Sequence, residues 1–512
     1  MRSPPDAART GPLLTALLAA LACLSLTAYL DLAFLEGIHE ARVLETAREM
    51  LELGNWVVPH FNGELRLEKP PLPYWASALA YLIAGGPSVA AARLVAALLG
   101  LLMLASAWGI ARAVADRRTA LLVVPVMAGL MLFNTEFRKV TTDPFLAAFS
   151  TAAVACFAWA FRRSGRPGLA WLLSGYAMAA LALLAKGPIA LAFTGIGALF
   201  VRPGGDATIR HPWPRHVLGA VIASAPVLAW AVMVMLNLPN AFDTWRHEIL
   251  GRVTGDVEEM RSRWFYLPAL LMAGSPLLLP FLAGLARGLF QRDRMTLWFL
   301  AGIAFLMLLS SRKAAYLLPL MAPAALAAAQ YLARIEAYRE GRWLMWGQLI
   351  ANLLLIAGLL GAALAWRSHL NWGAVVLGLL LLAALAGLLR GAFASRPSPL
   401  VLAVSGVLIT TFYDGVLLTH LPEDRTVQHL AAWIEGRMPP QSNFYQQGDI
   451  DPRLSFDMNR LPRTIEDSQL DSVPAPAWLL RREPLPPALP GWQLELKSHS
   501  RKGKTLYLYR RD

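Results

Sequence analysis

AAARLVAALLGLLMLASAWGIA, residues 90–111, has Arg93 as its only charge, and its reading decides the fold. As a helix it covers roughly 30 Å, the hydrocarbon thickness of a bilayer, and no soluble helix needs so long a run that is apolar on every face. Comparable blocks recur along the chain, near Leu13–Leu35, Ala120–Phe133, Phe145–Phe161, Leu169–Ala185, Pro188–Val201 and Val217–Leu236. They continue at Phe265–Leu285, Leu297–Leu309, Tyr316–Leu332, Leu344–Trp366, Gly373–Leu389 and Leu400–Leu418. The pattern predicts an all-α polytopic membrane protein of about thirteen spans and excludes a β-barrel, whose strands alternate apolar and polar residues.

Composition agrees. Of 512 residues, 56% are hydrophobic and 16% charged, and the mean hydropathy is +0.46. The net charge of +13 sits largely on Arg in short loops between blocks, where it orients spans and does not mark a nucleic-acid surface. Cys23 and Cys156 both fall in apolar blocks and read as packing residues, with no disulfide or zinc cluster implied. The first block follows Arg2 and Arg9, is long, and has no small-residue cleavage site, so it reads as an uncleaved first span.

With a cytoplasmic N-terminus, the Arg-bearing loops from Arg112, Arg117 and Arg118 to Arg390 and Arg396 all fall on one side, as the positive-inside rule requires. An odd number of spans then places the C-terminus outside. Residues 1–418 read as the transmembrane domain, with long outer loops at 36–89 and 237–264. Residues 419–512 read as a small extracytoplasmic α/β domain with strands near Ala477–Leu480 and Thr505–Tyr509. In the first loop, Glu40–Leu53 has helical spacing, with Val43, Leu44, Ala47, Met50 and Leu51 on one face and Glu45, Arg48, Glu49 and Glu52 off it, and Gly54 stops it. This predicts a helix along the membrane surface.

Outer segments should be poor in cations, yet Arg66, Lys69, Arg138, Lys139, Lys186, Arg246, Arg252, Arg312 and Lys313 fall there, most of them close to span ends. At that depth a cation meets a lipid phosphate; the plainer alternative is a snorkelling side chain that anchors a helix end. Two carboxylates point to the same face. Glu40 opens the surface helix, and Asp143, followed by Pro144, opens a span, where a cap or helix-dipole partner is the alternative role.

HEARVLETAREMLELGNWVVPHFNGELRLEKPPLPYW, residues 39–75, resembles the first outer loop of the GT-C superfamily of membrane glycosyltransferases. The aminoarabinose transferases of lipid A modification and the protein O-mannosyltransferases are the nearest matches. VTTDPF at 140–145, AKGP at 185–188, HEILGRVTG at 247–255 and SSRKAAYLLPL at 310–320 agree in order. The resemblance implies an active site with an acidic pair in the first loop and an Asp at the start of a later span, which maps to Asp143. The first-loop pair is His39 and Glu40 here, so imidazole stands where one acid is usual. It also implies that Lys69 contacts the carrier phosphate.

The activity implied by the resemblance is a sugar transfer from a polyprenyl (undecaprenyl) phosphate carrier to an acceptor of the bacterial envelope, such as lipid A, a glycan or a protein, at the periplasmic face of the inner membrane. Glu40, Asp143 or His39 would take the acceptor's proton. Lys69, Arg66, Arg138, Lys139, Lys186, Arg312 and Lys313 would meet the phosphate, with Tyr316 in the same stretch and Glu248 and Arg252 reaching substrate from the second loop. No cofactor is required; no cluster has metal-ligand spacing, and a divalent metal assembled from distant loops is left open. A lipid or glycan flippase would also carry many spans, but such proteins place ionisable groups mid-span in matched halves, and here the charges gather at span ends.

Overall fold

The computed structural model describes residues 10–28, 30, 38–204, 208–246, 262–365, 372–393, 398–414, 426–439, 442–448, 452–458, 460, 462–486, 491–499 and 505–512. The chain forms two compact units. One comprises Met1–Ala33, Glu68–Leu72 and Arg93–His420; the other comprises Phe34–Leu67, Pro73–Ala92 and Leu421–Asp512.

The first unit is helical, and every apolar block of the sequence overlaps a helix in it. Among the described residues six helices are long and apolar enough to cross a membrane: Val89–Val114, Thr142–Ala160, Gly165–Lys186, Trp213–Asn237, Ala314–Ala333 and Gly341–Ala365. Shorter apolar helices, such as Ala16–Thr27, Ile189–Val201, Arg294–Leu308 and Pro399–Phe412, accompany them. This is a multi-pass membrane protein. The block at Ala120–Phe133 is two pieces, Arg117–Ala128 and Met131–Glu136. The block at Phe265–Leu285, read as one span, is also two pieces, Tyr266–Gly274 and Leu278–Phe290, with a bend of 118° between them. Pro276 in the break has no N–H and cannot continue a helix. The backbone freed there is satisfied from other helices. Leu279 N–H donates to Gln348 Oε1 (2.9 Å), Gln348 donates to the Pro276 carbonyl (2.5 Å), and Met131 N–H donates to the Ser275 carbonyl (2.8 Å). Gln348 in turn donates to Asn352 (2.8 Å), which donates to Ser405 (2.7 Å). An apolar interior demands this pairing, because an unmatched backbone group there has no water to turn to.

The second unit is α/β. Strands β1 (His60–Phe61) and β2 (Glu64–Leu65) form a hairpin, and β3 (Asn443–Gln446), β4 (Arg463–Thr464), β5 (Ala477–Arg481), β6 (Gln493–His499) and β7 (Thr505–Arg511) form a sheet of order β4-β3-β5-β7-β6. Strand β3 runs parallel to β4 and β5, whereas β7 runs antiparallel to β5 and β6. Both faces of β5 are buried: Trp478 and Leu480 pack with Leu430, Ile434, Phe444 and Leu508, and Ala477 and Leu479 pack with Leu470, Val473 and Tyr509. That is why Ala477–Leu480 reads as a continuous apolar run. The strands expected in the C-terminal segment are therefore present.

The helix of the first long loop, Ile38–Glu52, differs from expectation. Its apolar face is buried, but so are Glu45, Arg48 and Glu49 of the face expected in water. It packs within the unit against the helix Pro452–Asp457 and the β1–β2 hairpin. Sequence periodicity marks which residues share a face; it cannot show that a polar face finds polar partners and is covered.

Candidate active site

In the helical unit, Asp143 stands in the first turn of Thr142–Ala160. Thr141 at the N-cap makes no side-chain capping bond, and the Asp143 carboxylate is turned to the Lys186 ammonium, with which it forms a salt bridge. Lys186 is the last residue of Gly165–Lys186, and Gly187 ends that helix at φ +73°, ψ −153°, a conformation essentially confined to glycine. The side chains are 13% and 6% exposed, so Lys186 is not a snorkelling anchor. Its Nζ also lies 4.2 Å from the ring centroid of Tyr316, in the 3₁₀ segment Ala314–Leu320. The Tyr316 and Ser311 hydroxyls are 3.3 Å apart. A carboxylate, an ammonium and an aromatic wall thus come from three separate stretches.

Lys69 is half-buried in the Glu68–Leu72 segment of the same unit. The next residue, Pro70, reaches the Lys186 turn: its Cγ comes within 3.9 Å of where a Cβ on Gly187 would sit. Arg312 and Lys313 are half-buried and lead directly into the Tyr316 segment. Lys139 is half-buried in the turn before Asp143. Arg138 is buried, and its guanidinium donates to the Ser25 carbonyl (2.7 Å) and the Ala28 carbonyl at the C-terminal end of Thr10–Thr27. There it complements the unpaired carbonyls and the negative helix end. Glu248 and Arg252 lie outside the described residues. Among the described residues no group of three or more His, Cys, Asp or Glu could hold a metal ion.

In the α/β unit, His39 is exposed and Glu40 buried at the start of Ile38–Glu52. Arg66 is buried, donates from Nε to the Tyr74 hydroxyl (3.1 Å), and lies 5.4 Å from the Phe61 ring centroid. The hairpin that leads to it turns on Asn62 (φ +53°) and Gly63 (φ +78°). Glu49, wholly buried, accepts from the Asn62 and Gly63 N–H groups, the latter at 3.1 Å. Burial pushes the Glu49 carboxyl up to about 7, the nearby Glu45 carboxylate adds to this, and the two amides and Arg48 pull the other way. Glu45 is itself raised, chiefly by burial, although Arg48 binds it through two nitrogens at 2.9 and 2.7 Å. Neither the Glu49 clamp nor the burial of Tyr266 is visible in the sequence. Glu49 looks like one more charge on a solvated helix face, and Tyr266 like an interfacial aromatic.

Residues 68–230, which hold Lys69, Lys139, Asp143 and Lys186, match the family described as dolichyl-phosphate-mannose-protein mannosyltransferase. The crystal structure of ArnT from Cupriavidus metallidurans bound to undecaprenyl phosphate superposes with a TM-score of 0.77 at 20% identity, over 97% of this chain and 97% of that one. This chain has the ArnT fold. In sequence it resembles the undecaprenyl phosphate-alpha-4-amino-4-deoxy-L-arabinose arabinosyl transferases. The one from Sodalis glossinidius is 30% identical over 309 residues, 57% of this chain and 54% of the relative. That from Pseudomonas fluorescens is 31% identical over 349 residues, 62% of this chain and 58% of the relative. The chain thus spans a little over half the length of the curated relatives it matches. Fold, family match and first-loop motif agree on a GT-C glycosyltransferase resemblance.

Proposed function

We propose that the chain transfers a sugar from a polyprenyl (undecaprenyl) phosphate carrier to an acceptor such as lipid A, another glycan or a protein. The reaction is placed at the periplasmic face of the bacterial inner membrane, with the N-terminus cytoplasmic and the C-terminus periplasmic. The observation that carries this reading is the Asp143–Lys186 pair against Tyr316, with the Lys69 turn packed beside it. An acceptor hydroxyl or amine attacks the anomeric carbon, the bond from that carbon to the phosphate oxygen breaks, and the carrier leaves as its phosphate anion. Asp143 or Glu40 takes the acceptor's proton, a contribution on the order of a hundred- to ten-thousand-fold in rate. Lys69, Lys139, Arg312 and Lys313 offset the charge growing on the phosphate. The names of the matched relatives favour an amino-pentose over a hexose as the sugar.

The test is transfer in proteoliposomes from defined undecaprenyl-phosphate sugars, with wild type, Glu40→Gln and Asp143→Asn. Transfer by wild type and its collapse in at least one variant is the expected result. Full turnover in both variants removes the carboxylate mechanism, and lipid translocation without transfer replaces the enzyme by a flippase.

A further inference from the structure

Tyr266 is 3% exposed, and its hydroxyl has no hydrogen-bond partner among the described residues. A buried phenol is normally satisfied, since an unmatched hydroxyl carries the full cost of its lost hydration. Its position says what it awaits. Tyr266 is the first residue of the half-helix Tyr266–Gly274, which packs against the 3₁₀ segment of Tyr316 and against Met131–Glu136. The hydroxyl lies in the field of Tyr316, Arg312 and Asp143. The bend that follows Gly274 is held by Gln348.

We propose that the Tyr266 hydroxyl is a substrate contact which donates a hydrogen bond to a phosphate oxygen of the lipid-linked donor. The inference rests on the proposed function and adds a residue to its donor site. The orphaned hydroxyl is filled when donor arrives, and the bond strengthens as the sugar–phosphate bond breaks and the phosphate gains charge. The site is then pre-organised at some expense to the unliganded protein.

The experiment compares purified full-length wild type, Tyr266→Phe and Tyr331→Phe, the last removing another buried hydroxyl that has no partner among the described residues, in a different helix. Undecaprenyl phosphate and a sugar-loaded carrier are titrated separately, with thermal unfolding of each unliganded protein. In Tyr266→Phe the Tm without ligand stays level or rises, and the Kd for both lipids rises on the order of tenfold, as for one lost bond to a charged acceptor. Tyr331→Phe binds both lipids as wild type does. Unchanged undecaprenyl phosphate binding by Tyr266→Phe overturns the proposal, as does a loss confined to the sugar-loaded carrier or a fall of several degrees in its unliganded Tm. Failure of wild type to bind undecaprenyl phosphate at all overturns the proposed function as well, so the two failures are distinguishable.

Discussion

Replacing Glu49 by Gln tests whether burial or hydrogen bonding governs the hairpin that carries Arg66. The Glu49 carboxyl is raised from 4.5 to about 7, so the folded protein holds its proton more tightly than the unfolded chain. A raised acid contributes stability that is complete below its unfolded value, declines as pH rises, and is gone above the folded one. Over the window from 4.5 to about 7, at about 1.4 kcal/mol per tenfold, the total is about 3 kcal/mol. Gln cannot ionise, so its stability lacks this slope. One of its ends accepts a single amide of Asn62 or Gly63, and the other amide is left unmatched, at about 1–3 kcal/mol. The variant is therefore the weaker protein near pH 4.5 and gains on wild type by about 3 kcal/mol by pH 8. Hydrogen exchange of the Asn62 and Gly63 amides, corrected for the intrinsic rate at each pH, gives the local opening free energy directly. If both proteins move in parallel across this range, or if the wild-type amides become better protected as pH rises, the amide bonds outweigh burial and the reasoning fails.

In the helical unit, Lys186→Met leaves the Asp143 carboxylate buried without its counter-charge and lowers unfolding stability by about 3–5 kcal/mol, whereas the Asp143→Asn/Lys186→Met double variant regains most of this without regaining transfer; additive losses in thermal unfolding would mean the pair does not act as a unit. Lys69→Ala raises the KM for the lipid donor on the order of tenfold, and unchanged donor kinetics remove its phosphate contact. Gly187→Ala puts a Cβ on a backbone at φ +73°, ψ −153°, which costs about 1–3 kcal/mol and displaces Lys186. A lower Tm with reduced kcat is expected, and a Tm equal to wild type would show that the turn relaxes without strain.

The candidate site is legible in part from sequence. Lys186 stands out as a cation on the side that the positive-inside rule leaves poor in cations, Asp143 as a carboxylate that opens a span toward the same side, and Lys69 and Tyr316 through the resemblance of their stretches to a family. Arg138 looks the same as Lys186 in sequence, a cation at a span end, yet its donors serve the carbonyls of another helix. Glu45, Arg48 and Glu49 look solvated because polar spacing on a helix carries no sign of what covers it. Nothing local tells these cases apart.

The sequence by itself determined the class of the protein. Blocks as long as a bilayer is thick admit little but helices, because every backbone polar group in lipid has to be paired within its own segment; the apolar run at Ala477–Leu480 likewise marks a strand buried on both faces. Only the tertiary structure decided that Asp143, Lys186 and Tyr316 meet, that the span after Phe265 breaks at Pro276, and that Tyr266 is buried without a partner among the described residues. Segment length and periodicity are local properties of neighbouring residues, whereas an ion pair or an orphaned hydroxyl is set by which distant side chains share a few ångströms of interior, a distance fixed by how the helices pack.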